Sequence, residues 1–391
     1  MAIERQLGTE NNPDIMVTSS AVEVFPEPSR SDEIRNAAQL LVSEENILLD
    51  DEQFEDQPPE MSFSANLAEV VEENILGKLA SDILSSINQD KESRSDWEKT
   101  YTDGLKYLGM KFDEGRSQPF EGSSGVIHPI LAEAVTQFQA QAYKEMLPAK
   151  GPVKTQIIGA RTVETETQAD RVQEFMNFYI MNVMKDYDPE MDMLLFYLPL
   201  AGSAFKKVYY DNVLNRAISK FIAPEDLIVP YEASDLSSAE RVTHAISMSV
   251  NEIKKQQLSG FYIDADISEN SYDGDESDVE AEIDKLQGIK ASYAEDRDHI
   301  VYEVHTILDL QGFEDAGEDG EPTGLKLPYI VTIDEPSERV LSIRRNYNEG
   351  DPYANKINFF VQYKFLPGLG FYGLGLSHMI GGISKASTSI L

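Results

Sequence analysis

The hydrophobic period of this 391-residue chain switches near Gly202, and that switch constrains the fold more than any single motif does. Upstream, apolar residues recur at spacings of three and four, the period of a helix with one buried face. Leu67, Val70, Val71, Ile75, Leu76, Leu79, Ile83 and Leu84 form one such series, and Trp97, Tyr101, Leu105 and Leu108 a second. Downstream, the pattern alternates as half-buried strands do. A helical portion followed by an antiparallel β-rich portion reads as an α+β fold.

Local signals refine that order. Pro129 suits the first helical position, where its missing N–H is no loss. Ile130, Leu131, Ala134, Val135, Phe138, Ala142 and Met146 then make one apolar stripe, ended by Pro148 and Gly151-Pro152. Thr165-x-x-Gln168 reads as a capping box, and Ala169, Val172, Phe175, Met176, Tyr179 and Val183 as the apolar face of its helix. A short helix starts at Asp188-Pro189 and ends by Gly202. Asp211-Asn212 is the turn of a hairpin formed by 204–210 and 213–222. Strands are expected at 228–230, 241–250 and 300–308, a hairpin at 326–334 and 339–345, and a further strand at 357–365. Asn251 is the expected cap of a helix to Leu258, and residues 264–298 read as an acidic surface insertion. A last helix starts near Ser377. The expected parts are therefore a tail at 1–60, helices at 61–203, a β-rich portion at 204–375 and the start of a helix at 376–391.

Charge narrows the function classes. The chain carries 69 acids against 33 bases, a net charge of −36. Such a surface repels phosphate backbones rather than gripping them. Residues 1–60 are acidic and poor in aromatics, the signature of a solvated, disordered tail. Short apolar clusters within it, such as 37–42, are candidate docking segments. There is no cysteine, hence no disulfide framework and no sulfur-based metal site. No run of about 18 apolar residues exists, so no transmembrane helix is expected, and the N-terminus lacks the pattern of a signal peptide. The last residues, 384–391, stop without a helix-ending signal, which reads as a piece of a longer protein.

Candidate chemistry is sparse. Gly368, Gly370 and Gly373 match G-x-G-x-x-G, the fingerprint of a dinucleotide site. Pro367 before it, and a preceding strand carrying Gln362, Tyr363 and Lys364, favour a structural turn instead. The acidic run from Asp273 has Asp278 where a calcium loop needs glycine, so a solvated loop is the better reading. The histidines His128, His244, His299, His305 and His378 show no helical metal spacing. His299 and His305 share a strand face but stand roughly 20 Å apart by strand rise. His244 and His305 read as half-buried strand residues. No nucleophile elbow or phosphate-binding loop is present. What remains are two glycine-punctuated segments, Phe120–Leu131 and Leu366–His378, each leading into a helix without acid, base or ligand chemistry behind it. They read as recognition and packing elements of an assembly subunit, not of an enzyme and with no cofactor. Their candidate residues are Phe120, Gly122, Gly125, Pro129, Gly370, Gly373, Gly375 and Ser377.

Taken together, several segments resemble the portal, or head-to-tail connecting, proteins of tailed bacteriophages, in the podovirus-like branch. They are 120–134, 137–142, 148–153, Pro224–Tyr231, Arg241–His244, Ser342–Tyr347 and Gly370–His378. The resemblance spans about residues 95–391. It implies a homo-oligomeric ring of about twelve copies at one capsid vertex, closed by cyclic symmetry. It also implies a channel for DNA packaging by the terminase and for ejection, in a virion assembled in the host bacterial cytoplasm. The implied partners are the terminase large subunit, the major capsid or scaffold protein, a head–tail adaptor, and double-stranded DNA that passes without specific binding. Family members are longer, so this chain would supply the wing and the start of a helix leading to the stem. Gly381-Gly382 lower the propensity of that helix by about 1 kcal/mol each and suit close helix contact around a channel. The competing expectations are a head–tail adaptor and a nucleotide-dependent oxidoreductase using Gly368–Gly373.

Overall fold

The computed structural model describes residues 62–108, 127–212, 214–267, 278–288, 298–315 and 323–390. The fold is α+β, and among the described residues it has eight α-helices and eight strands. Helices α1 (Glu73–Ser93), α2 (Ser95–Lys106), α3 (Ile130–Met146), α4 (Val163–Phe178) and α5 (Tyr187–Ala201) come first. Strands β1 (Ser203–Asp211), β2 (Arg216–Ile222), β3 (Leu227–Ile228) and β4 (Arg241–Met248) follow. Then come α6 (Val250–Leu258), α7 (Asp278–Gln287), β5 (His299–Leu308), β6 (Leu327–Asp334), β7 (Arg339–Arg345), β8 (Phe360–Lys364) and α8 (Leu376–Ile390). The period change at Gly202 is thus the junction of α5 and β1.

The strands make two antiparallel sheets, one ordered β2-β1-β8 and the other β3-β4-β5-β6-β7. Alternation along β5 sorts the core. Tyr302 and Val304 face α1, whose Leu76, Ala80, Ile83 and Ile87 are buried at helical spacing. Val301 lies on the other face with Leu341 and with Ile253 of α6. A second core gathers Trp97, Tyr101 and Leu105 of α2, Leu131 and Val135 of α3, Phe205 of β1, and Phe371 and Tyr372. A third puts Met191, Leu194, Leu195 and Leu198 of α5 over Ala204 and Phe221. The described residues all fall in one compact unit.

Several local expectations shift. Pro129 is the N-cap residue of α3 rather than its first helical residue. Helix α4 is capped by Thr162, with Thr165 completing the capping box from the third position, so Thr165 is not the cap. Helix α6 is capped by Ser249 with Glu252, not by Asn251. In the last two cases an equally good cap lies one turn or less upstream, and the helix takes the extra hydrogen-bonded residues. Strand β2 starts at Arg216, later than expected, because the turn runs on past Asp211, whose carboxylate accepts the Leu214 N–H. The insertion at 264–298 is not all surface: α7 buries Val279 and lays Ile283 and Leu286 on the second core.

The largest departure is α4, none of whose residues is buried. Its inward positions are polar. Asn177 accepts from the Val153 N–H at 2.8 Å and donates to the Val153 carbonyl at 3.1 Å. Gln173 accepts from the Thr155 N–H at 3.1 Å, and the Thr155 hydroxyl donates to the Ala169 carbonyl. These side-chain amides mimic a strand partner for the extended segment 152–158. The apolar stripe read as core-facing is turned outward along its middle: Val172, Phe175 and Met176 are exposed, and Ala169, Tyr179 and Val183 are only half-buried.

The two sheets meet across a buried polar cluster. Lys207 of β1 donates to both carboxylate oxygens of Glu303 on β5, at 2.6 and 2.7 Å. His305 Nε2 lies 2.8 Å from Glu303, and its ring abuts Phe360 of β8. His244 and His305 are indeed interior strand residues, though buried rather than half-buried. Burial opposes ionisation of Glu303, but the His305 hydrogen bond and the Lys207 charge outweigh it and hold the carboxyl well below the usual range. Burial likewise pushes His305 down, and His244 down to about 3.

The sign of the pH dependence follows. A depressed carboxylate stabilises above its unfolded value, near 4.5, and that stabilisation is lost as pH falls further. The histidines, kept neutral when folded, add a loss that begins below about 6.5. Glu303→Gln is expected to cost about 3 kcal/mol at neutral pH, because Lys207 keeps a buried charge without its partner. Urea titrations from pH 7 to 3 should show the variant with a flatter slope below pH 4.5 than the parent.

Candidate functional site

The glycine-rich turn at 366–377 forms because backbone there lies directly on backbone. Gly202 closes α5 in the left-handed region, at φ 89°. A Cβ on Gly202 would strike the backbone of Gly373, Leu374 and Gly375. The reverse holds too: a Cβ on Gly375 would lie 2.5 Å from the Gly202 nitrogen, and one on Gly373 would strike the Gly202 carbonyl. Gly370 is covered by the ring of Tyr231, and a Cβ on Gly368 would lie 2.5 Å from the Tyr372 carbonyl oxygen. Ser377 is buried and packs on Gly104 of α2, where no side chain would fit.

Side chains lock this turn from the helical side. Arg94, at the break between α1 and α2, is buried and donates to the carbonyls of Pro224 (3.0 Å), Leu227 (3.1 Å) and Glu225 (2.7 Å). It also donates to the Tyr372 hydroxyl at 3.1 Å. That hydroxyl donates in turn to the Leu227 carbonyl and accepts from the Val229 N–H. Trp97, the only tryptophan, donates from Nε1 to the Gly373 carbonyl at 3.0 Å and stacks on Tyr372 at 4.6 Å. The Gly373 N–H reaches Ser203 at 2.7 Å. A planar fork of donors suits this convergence of carbonyls; a lysine would satisfy fewer of them.

Beside Arg94 opens a cleft of about 580 Å³, lined by Lys91, Glu98, Lys99, Glu225, Asp226 and Glu280 among others. Burial, then the neighbouring Asp226, pushes Glu225 up to about 8; burial, then Glu280, pushes Asp226 up to about 6. Among the described residues, no three or more histidines, aspartates or glutamates are grouped to hold a metal ion, and no helix is long and apolar enough to cross a membrane.

The structure brings Gly370, Gly373, Gly375 and Ser377 together at one junction. Pro129 stands apart at the start of α3, whose Leu131 and Val135 reach the same core. Phe120, Gly122 and Gly125 lie outside the described residues. Sequence reasoning missed Gly202, Gly104, Arg94 and Trp97. Gly202 carried a signal, as the glycine that ends α5; Arg94 carried none, being one base among acids. Gly381 and Gly382 contact nothing, so their side of α8 is open.

No family model matches the chain, and no curated protein matches it.

Gly202→Ala combines a disfavoured φ with a backbone clash, and a loss of about 3 kcal/mol or more is expected. Gly77→Ala, in α1 with open space around it, is the control and should gain up to about 1 kcal/mol. Urea denaturation of both variants checks the contrast.

Proposed function

We propose that the chain is a structural subunit of a portal ring, the channel that joins head to tail in a tailed bacteriophage. The observation that carries this reading is convergence. The portal-like segments Pro224–Tyr231 and Gly370–His378 are remote in sequence, yet they meet at one junction through Arg94, Tyr231 and Tyr372. The junction fixes the direction of α8, whose Met379, Ile383 and Ile390 are exposed. A helix that packs on α2, α3 and α5 yet leaves these apolar residues exposed suits a subunit completed by its neighbours.

Two further features support it. The net charge of −36 leaves few sites for phosphate neutralisation, which suits a wall that DNA slides past. The glycines of the G-x-G-x-x-G segment are covered by Tyr231 and by Gly202, which leaves no room there for a pyrophosphate. That favours assembly over a nucleotide-dependent oxidoreductase. In this reading the partners are further copies of the chain, the terminase large subunit, capsid or scaffold protein and an adaptor. The protein then resides at a capsid vertex.

Native mass spectrometry and negative-stain imaging, on the chain and on any longer product of its gene, test the reading. The expected result is a ring of about twelve copies with a central pore. A monomer or dimer, above all one that keeps a nucleotide through purification, would overturn it.

A further inference from the structure

The arm formed by residues 152–183 carries two complementary surfaces on its two sides. On one side is the outward face of α4. Its last two turns expose Val172, Phe175, Met176 and Phe178, with Phe175 62% exposed. The helix holds Glu164, Glu166, Asp170 and Glu174 against Arg171 alone. On the other side is the extended segment beside it. Thr155 points at α4, so its neighbours Lys154 and Gln156 point away, and Ile158 is 96% exposed. In a chain with twice as many acids as bases, residues 144–161 reverse the balance: Lys144, Lys150, Lys154 and Arg161 stand against Glu145 alone. All four of these bases are exposed.

The arm is held firmly at its base. The Tyr179 hydroxyl accepts from the Ala217 N–H at 2.9 Å, and Arg216 pairs with Asp186 at 2.5 Å. The outward face is therefore not loosely attached helix that would turn inward: its polar face is already committed to Val153 and Thr155.

We propose that α4 is the docking surface for a second copy of this chain, head to tail. The exposed apolar face of α4, on a helix with four acids against one base, receives the basic, Ile158-bearing segment of the next copy. Charge selects this occupant. Acidic α4 repels the chain's general surface, whereas 144–161 is a basic run that every copy presents. Because the two surfaces lie on opposite sides of one arm, each contact leaves one free at either end, and the contact repeats as a ring or filament does. The proposal rests on the assembly reading above and names the surfaces that serve it.

The chain has no cysteine, so single introduced thiols report without background. Ile158→Cys and Phe175→Cys variants of the full chain are prepared separately, mixed and oxidised. The expected result is a disulfide dimer in the mixture well above the yield of either variant alone. In parallel, the double variant Phe175→Glu, Phe178→Glu should weaken self-association by about 100-fold, read by light scattering and native mass spectrometry. Its thermal unfolding should match the parent, since both side chains are exposed. Lys154→Glu should weaken association, and adding Glu164→Lys, on the face of Phe175, should restore part of it. A parent that stays monomeric at its highest soluble concentration, no mixed cross-link, or association untouched by the double variant would each overturn the proposal. The two readings separate cleanly. A pored ring indifferent to Phe175 and Phe178 sinks this inference and leaves the portal reading standing. Pore-less oligomers that need Phe175 and Phe178 do the opposite.

Discussion

The contact between Gly202 and the backbone of Gly373–Gly375 is the constraint on which the rest of the structure hangs. It fixes three things at once: where α5 stops, where β1 begins and where α8 departs. No side chain fits at the contact, so the distance between these elements is set by backbone thickness alone. Arg94 extends the same constraint to the second sheet, because its donors satisfy carbonyls at Pro224, Glu225 and Leu227, around the start of β3. Tyr372 sits between the two, and its hydroxyl bonds both Arg94 and β3. Helices α1 and α2, both sheets and α8 thus share one junction. A change there is felt by every element and not by one helix.

How much of this was legible in sequence depends on the range of the interaction involved. Elements set by local period, such as α2, α5 and the β6–β7 hairpin, stand where the pattern puts them, whereas α1 begins only at Glu73: Leu67 lies in a separate 3-10 turn and Val70 is exposed. Caps slipped by a turn or less, because Thr162 and Thr165, or Ser249 and Asn251, are alternatives that only the full hydrogen-bond set distinguishes. The contact of Gly202 with Gly375 joins residues far apart in the chain, and no local signal pairs them. Arg94, Lys207 and Glu303 were equally silent. A charged residue in so acidic a chain reads as surface, yet Arg94 is buried and Lys207 pairs with Glu303 between the sheets. The insertion helix α7 was hidden by its acids, which mask the apolar positions Val279, Ile283 and Leu286.

Helix α4 is the instructive failure, because its pattern was read correctly and its orientation was not. An amphipathic stripe says that one face avoids water; it does not say that the partner lies in the same chain. The amide side chains of Gln173 and Asn177 decide the matter, since they pair with backbone at Val153 and Thr155 and turn the stripe outward. Seen this way, the inward polar face is the specific part of the helix and the outward apolar face is the part left for assembly.

Magnitudes then say what kind of assembly the arm can support. Burying Val172, Phe175 and Phe178 offers roughly 2 kcal/mol each, on the order of 6 kcal/mol for the stripe. Association of two free copies costs an estimated 4–15 kcal/mol in lost translational and rotational freedom, so one such contact yields a weak pair. Closure changes the balance. In a ring, the last copy makes two contacts while losing its freedom once, and further exposed surface, such as Met379 and Ile383 on α8, can join the same interface. Charge pushes the same way: with a net −36 on every copy, only surfaces that oppose base to acid, as 144–161 and α4 do, approach without added repulsion. In the proposed ring, cohesion would therefore come from many arms engaging together rather than from any one contact.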